Sequence, residues 1–170
     1  MLPLKRILCP TDLSADSRAA LKVAGELALY FSAELTILHV QAPPQPVVWP
    51  YEGLGINPYE IGLSQPEAIA LREKELKAEA KKLFPPALDL KVRVEPGEPA
   101  ETILEVARLR NVDMIVIAPH GHNRLRKAIF GSTAEEVVKN SPCPVVTMHA
   151  GQEAQVQAQE VRAQSHETES

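Results

Sequence analysis

Short apolar runs that alternate with stretches of helical spacing restrict this chain more than any other feature. The run Met114 to Ala118, continuing from Val112, is almost unbroken in its hydrophobicity, which is the pattern of a parallel strand covered on both faces. Leu4 to Cys9 and Glu34 to Val40 read as two further strands, the first ended by Pro10 and the second stopping before Pro43 and Pro44. Between them, Leu21, Ala24, Ala28 and Phe31 recur at the three-and-four spacing of one helical face, with Ser14 or Asp12 available as N-cap. Leu88 to Val94 alternates apolar and charged residues, the mark of a strand with one exposed face, most simply at a sheet edge. Ser64 and Glu67 form a capping-box pair ahead of a helix running to Phe84, and Pro99 occupies the first position of another that stops at Asn111. A last helix from Ser132 to about Asn140 precedes a strand from Val145 to His149.

Five strands alternating with four helices predict a three-layer α/β/α fold around a parallel sheet with right-handed crossovers. With the edge-like third strand outermost, the order is 3-2-1-4-5, and strand order reverses between the first and fourth strands. Ligands in such sheets bind beyond the carboxyl ends of the strands at that reversal. The mouths there are Pro10-Thr11-Asp12 and Ala118-Pro119-His120-Gly121. Residues 1–150 are expected to form one domain, with a Pro/Gly-rich excursion over 41–65 and a polar, disordered tail over 151–170.

Bulk properties remove several classes of function. A net charge of -4 and a pI near 5.8 give no basic excess for holding nucleic acid. No stretch approaches the roughly 20 apolar residues of a membrane span, and no leader pattern opens the chain, so a cytosolic location is expected. Cys9 and Cys143 make neither a disulfide framework nor a zinc site. The order of strands puts them two ladder spacings apart, on the order of 10 Å, too far for a bridge. His39, His120, His122 and His149 lie near strand ends without metal-ligand spacing, so no metal site is expected.

Chemistry concentrates in the loop and helix after the fourth strand. Gly121, nine intervening residues, then Gly131-Ser132 would let a phosphate approach the backbone beside the N–H groups of a helix start. The plainer alternative is that Ser132-Thr133-Ala134-Glu135 is only a capping box and Gly121 only ends a strand. Asp12 suits a ribose hydroxyl or an adenine amine, or else caps the first helix. Val40 suits contact with an adenine ring, or else the core. Arg124, Arg126 and Lys127 would guard a phosphate mouth or form a solvated loop. There is no Walker A loop, no G-x-G-x-x-G turn and no nucleophile motif, so no catalytic residue is expected.

The segments ILCPTDLSADSRAAL, GEPAETILEVA, DMIVIAPHGHNRLRKAIFGSTAEEVV and SPCPVV, in that order, resemble the universal stress protein family from Lys5 to Met148. The resemblance implies a Rossmann-like fold of the adenine nucleotide alpha hydrolase-like kind. It also implies a cytoplasmic homodimer that pairs its final strands, Val145 to His149, across a twofold axis. The ATP-binding branch of the family carries G-x-x-G-x9-G-[S/T]; here Gly121, Gly131 and Ser132 match, and Ala118 replaces the first glycine. The resemblance implies ATP or another adenine nucleotide, with Mg²⁺ as an accompanying ion. Contacts to adenine and ribose would come from Pro10, Thr11, Asp12 and Val40, and contacts to phosphate from Ile117, Ala118, His120, Gly121, Gly131, Ser132 and Thr133. Ala118 adds a methyl where phosphate passes, and Pro119 removes an N–H donor. The expected role is a regulator or sensor in the stress response that works through nucleotide occupancy. Two alternatives stay open: an interaction module of the same fold that has lost nucleotide and acts through protein partners, and a slow ATP hydrolase. A receiver domain is disfavoured, because the third strand runs into Val94-Glu95-Pro96 without an acceptor Asp.

Overall fold

A computed structural model describes residues 4–42, 65–119 and 130–148. In chain order the elements are β1 (Arg6–Pro10), α1 (Ala15–Phe31), β2 (Glu34–Gln41), α2 (Gln65–Leu83), β3 (Leu90–Pro96), α3 (Pro99–Leu109), β4 (Met114–Ile117), α4 (Ser132–Asn140) and β5 (Val145–Thr147). All strand pairs are parallel and the order is β3-β2-β1-β4-β5, the predicted arrangement. Most of the 41–65 excursion, Ser64 of the predicted capping box, His149 and the tail lie outside the described residues.

The pleat sorts the core into two halves. Ile7, Cys9, Leu35, Ile37 and Val116 pack with Leu21, Ala24 and Ala28 of α1 and with Leu76 and Ala80 of α2. Leu8, Leu38, Ile115 and Ile117 pack on the other face with Ile103, Val106 and Ala107 of α3 and with Ala134 and Val137 of α4. Alternate residues of each central strand therefore serve opposite layers, which is why these strands read as continuous apolar runs.

Several boundaries differ from expectation for identifiable reasons. β1 includes Pro10 instead of stopping before it. β3 lies two residues later than predicted and takes in Glu95 and Pro96. Gly97 N–H donates to Gln41 C=O at 3.1 Å, so odd-numbered residues of β3 face β2 and Pro96 turns its donorless nitrogen to the open edge, where proline is tolerated. The turn then falls on Gly97, whose φ of +143° suits glycine, and a Cβ there would meet Thr102 Oγ1 at 2.5 Å. Ser14, and not Asp12, is the N-cap of α1, its side chain accepting from Ser17 N–H at 3.2 Å. Pro99 opens α3 as expected, and Asn111 follows that helix with φ +48°.

Beneath the sheet, Asp113 Oδ2 accepts from both Lys5 N–H and Arg6 N–H at 2.9 Å, while Asp113 N–H donates to Arg6 C=O. This clasp joins the starts of β1 and β4. Both cysteines are free: Cys9 lies in β1 and Cys143 just ahead of β5, strands that β4 separates.

Two measurements follow from this packing. Gly25 of α1 lies under Phe84, and an added Cβ would fall 2.1 Å from the ring. Gly25→Ala should therefore destabilise the protein by about 1 kcal/mol despite alanine's better helix propensity, because the ring must leave its seat. In a Phe84→Ala background the same change should stabilise by about 0.5–1 kcal/mol, as read from urea midpoints. Burial pushes the Cys9 thiol from 9.0 up to about 12. The native thiol stays protonated while the unfolded one ionises, so its contribution is complete below pH 9 and is lost as pH rises toward 12. Cys9→Ala should flatten the alkaline fall in stability over that window.

Candidate functional site

The crevice forms because β1 stops pairing with its two neighbours by different means. Lys5 C=O accepts from Glu34 N–H and Thr11 N–H donates to Leu38 C=O, both at 2.8 Å, so odd-numbered residues of β1 face β2 and even-numbered ones face β4. Pro10 thus turns toward β4 the one backbone nitrogen that carries no hydrogen. Pairing between β1 and β4 ends at Leu8 and Ile115, although β1 continues with β2 to Pro10 and β4 continues with β5 to Ile117. The strands are clasped at their starts and unpaired at their carboxyl ends, where the reversal of order lies.

On the other side, Thr11 uses every polar group it has. Its hydroxyl lies 3.1 Å from Ser17 Oγ and accepts from Leu13 N–H at 3.1 Å. Ser17 Oγ–H donates to Ser14 C=O at 3.0 Å, so the proton between the two hydroxyls belongs to Thr11. Thr11 C=O accepts from His39 Nδ1 at 2.9 Å, and because a carbonyl only accepts, that ring nitrogen carries hydrogen. Thr11 is 6% exposed. Its side chain is a scaffold for the β1–α1 loop.

Asp12, next in line, is half-buried and accepts from Ser14 N–H through Oδ1 at 3.0 Å. Between them Leu13 has φ +67°, a conformation that costs an L-residue about 1–2 kcal/mol. The bonds from Leu13 N–H to Thr11 Oγ1 and from Ser14 N–H to Asp12 Oδ1 hold that turn from both sides. Such strain, stored beside a crevice, is a common signature of functional loops.

The end of β2 supplies open backbone. Leu38 spends its carbonyl on Thr11 N–H, so the next rung of a parallel ladder would join Val40 N–H to Thr11 C=O and Leu13 N–H to Val40 C=O. Both partners are already bonded elsewhere, to His39 Nδ1 and Thr11 Oγ1. Val40 N–H and C=O therefore face the space beyond β1 without a rung among the described residues, while its half-buried side chain packs on the α3/α4 side of the core.

Across the reversal, Ile117 and Ala118 are buried, at 5% and 8% exposure. Ile117 packs toward α3 and α4, and the Ala118 methyl belongs to the core on the α1 side. Pro119 is fully buried, and its carbonyl accepts from Gly131 N–H at 2.7 Å, which brings the start of α4 to the end of β4. The capping-box reading of Ser132 and Glu135 is overturned. Gly131 is the N-cap in extended conformation, its carbonyl accepting from Glu135 N–H at 2.9 Å with no side-chain cap bond. The Glu135 carboxylate instead pairs with Lys139 at 2.6 Å, which lowers its pKa through that hydrogen bond and the neighbouring charge. Ser132, exposed, and Thr133, half-buried, are left at the first two helical positions, where N–H groups precede the first intrahelical bond. Gly131 has φ −72°, so glycine is not required there by the backbone dihedral. His120 and Gly121, with His122, Arg124, Arg126 and Lys127, lie outside the described residues.

The structure thus gathers Pro10, Asp12, Val40, Gly131, Ser132 and Thr133 around the strand reversal and assigns Thr11, Ile117 and Ala118 chiefly to its walls. His39, Leu13 and Ser17 complete the loop without having been candidates. Ser17, three residues after the cap Ser14, carried a capping signal in the sequence; the left-handed Leu13 carried none. Thr11→Val should cost about 2 kcal/mol in denaturant unfolding, since Leu13 N–H and Ser17 Oγ lose their partner, while Thr11→Ser should cost about 1 kcal/mol or less.

Comparison with known proteins agrees with this architecture. A model of the universal stress protein family matches residues 3–149. The chain is 32% identical over 163 residues to the stress response protein NhaX of Bacillus subtilis, covering 86% of this chain and 98% of that one. It is similar to the solved structure of universal stress protein UspA from Lactobacillus plantarum, with TM-score 0.70 and 27% identity over 88% of this chain and 100% of the other. A universal stress protein crystallised in complex with cAMP shares the fold, with TM-score 0.61 and 22% identity over 87% and 98% of the two chains. With its sheet order, its strand mouths and the family match across nearly all of its described residues, this chain belongs to the universal stress protein family.

Proposed function

We propose that this chain binds an adenine nucleotide in the crevice between the carboxyl ends of β1 and β4 and acts as a dimeric regulator or sensor through the occupancy of that site. The observation that carries the reading is the backbone edge of Val40, which has no rung to β1 among the described residues. An N–H and a C=O side by side on an extended strand match the N1 acceptor and N6 donor of adenine. Asp12 stands at the adjoining mouth for a ribose hydroxyl. Ser132 and Thr133, with the N–H groups opening α4, suit phosphate through the helix dipole and unpaired donors. Mg²⁺ would accompany the phosphates and neutralise their charge. The cAMP complex of a protein with this fold supports the ligand class.

The alternative is an interaction module of the same fold whose altered glycine motif no longer binds nucleotide and whose dimer surface or Pro-rich excursion recruits a partner. The Ala118 methyl packs with the core, and Pro119 contributes its carbonyl to hold Gly131, so both residues are accounted for as structure. For assembly, β5 is outermost beside β4 and its residues are half-buried, an edge that no other strand pairs with among the described residues and of the kind that a second copy covers by pairing.

Calorimetry on protein stripped of co-purified ligand should show saturable binding of at least one of ATP, ADP and AMP. Binding should be lost in Gly131→Trp, which fills the entrance to α4, with the unfolding midpoint kept. A native mass spectrum should show two chains with nucleotide bound. No heat with any of the three nucleotides overturns the reading.

A further inference from the structure

The bonds that end the β1–β2 ladder give His39 a function of its own. His39 belongs to β2, in register with Val94 of β3, and its backbone faces that strand, yet its imidazole reaches the opposite way to the carbonyl of Thr11. That carbonyl is the acceptor the next rung would use for Val40 N–H. The ring therefore stands where the ladder would close by one more bond.

We propose that His39 is the positioning residue of the base subsite: by donating Nδ1–H to Thr11 C=O it holds the β1–α1 loop off β2 and keeps the Val40 N–H and C=O open to the edge of a purine base. This rests on the reading of the crevice as an adenine-nucleotide site, but the device itself is readable without nucleotide. Three features converge on it. Thr11 N–H is fixed to Leu38 C=O, so the loop is already at ladder distance one residue earlier. Leu13 N–H, the donor that would satisfy Val40 C=O, is withdrawn to Thr11 Oγ1. The left-handed Leu13 turns the chain away from β2 immediately afterwards. Removing the imidazole donor leaves Thr11 C=O without that partner, and the donor the ladder register would bring to it is Val40 N–H. The subsite would then close on itself.

Two substitutions separate positioning from mere packing. Asparagine carries an amide N–H on the atom that replaces Nδ1, whereas leucine fills similar space with no donor. Amide hydrogen exchange on the nucleotide-free protein should show Val40 exchanging at least about tenfold faster than Leu38 in the wild type, slowing about tenfold in His39→Leu and recovering in His39→Asn. Affinity for AMP should fall about tenfold in His39→Leu and stay within about threefold in His39→Asn, an effect the size of one lost hydrogen-bonded edge. Nitrogen NMR of the wild type should find hydrogen on Nδ1 and none on Nε2 in the neutral ring. Hydrogen on Nε2 instead, a Val40 amide already protected in the wild type, or a His39→Leu variant with unchanged exchange and unchanged AMP affinity would overturn the proposal. The expected exchange pattern in a wild type that binds no adenine nucleotide would overturn the reading of the crevice and uphold His39 as the residue that ends the ladder.

Discussion

A proline has no backbone hydrogen to give, and in this protein that deficit is turned toward one strand only. Pro10 lies within β1, where its neighbours Cys9 and Thr11 face β2 while its own nitrogen points to β4. The same residue can therefore extend one ladder and end the other. Because Asp113 clasps the starts of these two strands, the sheet cannot separate from below, and the parting is confined to the carboxyl ends. The parting of β1 from β4 coincides with the backbone nitrogen of β1 that has no hydrogen to give.

Its second wall obeys the same accounting with side chains in place of a proline. Thr11 Oγ1 and His39 Nδ1 take up the Leu13 N–H and the Thr11 C=O that would have continued the ladder to β2, and Ser17 Oγ orients the Thr11 hydroxyl. Among the described residues this leaves the Val40 N–H and C=O without a rung toward β1. A polar network this close to saturation defines a single loop conformation, because any other arrangement leaves a buried donor or acceptor without a partner.

The layer structure and strand order were legible in the chain because they depend on periodicity. The apolar run Ile115 to Ile117 and the alternating face of the third strand each report which sides of a strand are covered, and that ranks strands from centre to edge. Helix limits were legible where a residue has one dominant use, as at Pro99 and Asn111. What stayed hidden depends on bonds between distant residues. Ser132 carries a better capping side chain than Gly131, yet Gly131 caps α4 because its N–H is held by Pro119 and that fixes where the helix can begin. The direction of the Ala118 methyl, the left-handed turn at Leu13 and the imidazole bond of His39 follow from the three-dimensional path of β1, β2 and β4. The candidate residues were found from the strand reversal and the family pattern; the division between those that face the crevice and those that build its wall required the structure.

The bond from Gly131 N–H to Pro119 C=O bounds the connection between β4 and α4. It closes the chain on itself at the boundary between the sheet and α4, so the strand end and the helix start are fixed relative to each other by atoms outside residues 120–129. Changing the length of a closed connection costs little free energy, about 0.6 kcal/mol per doubling. The bond between Pro119 and Gly131 thus ties the start of α4 to the end of β4 whatever the length of chain between them.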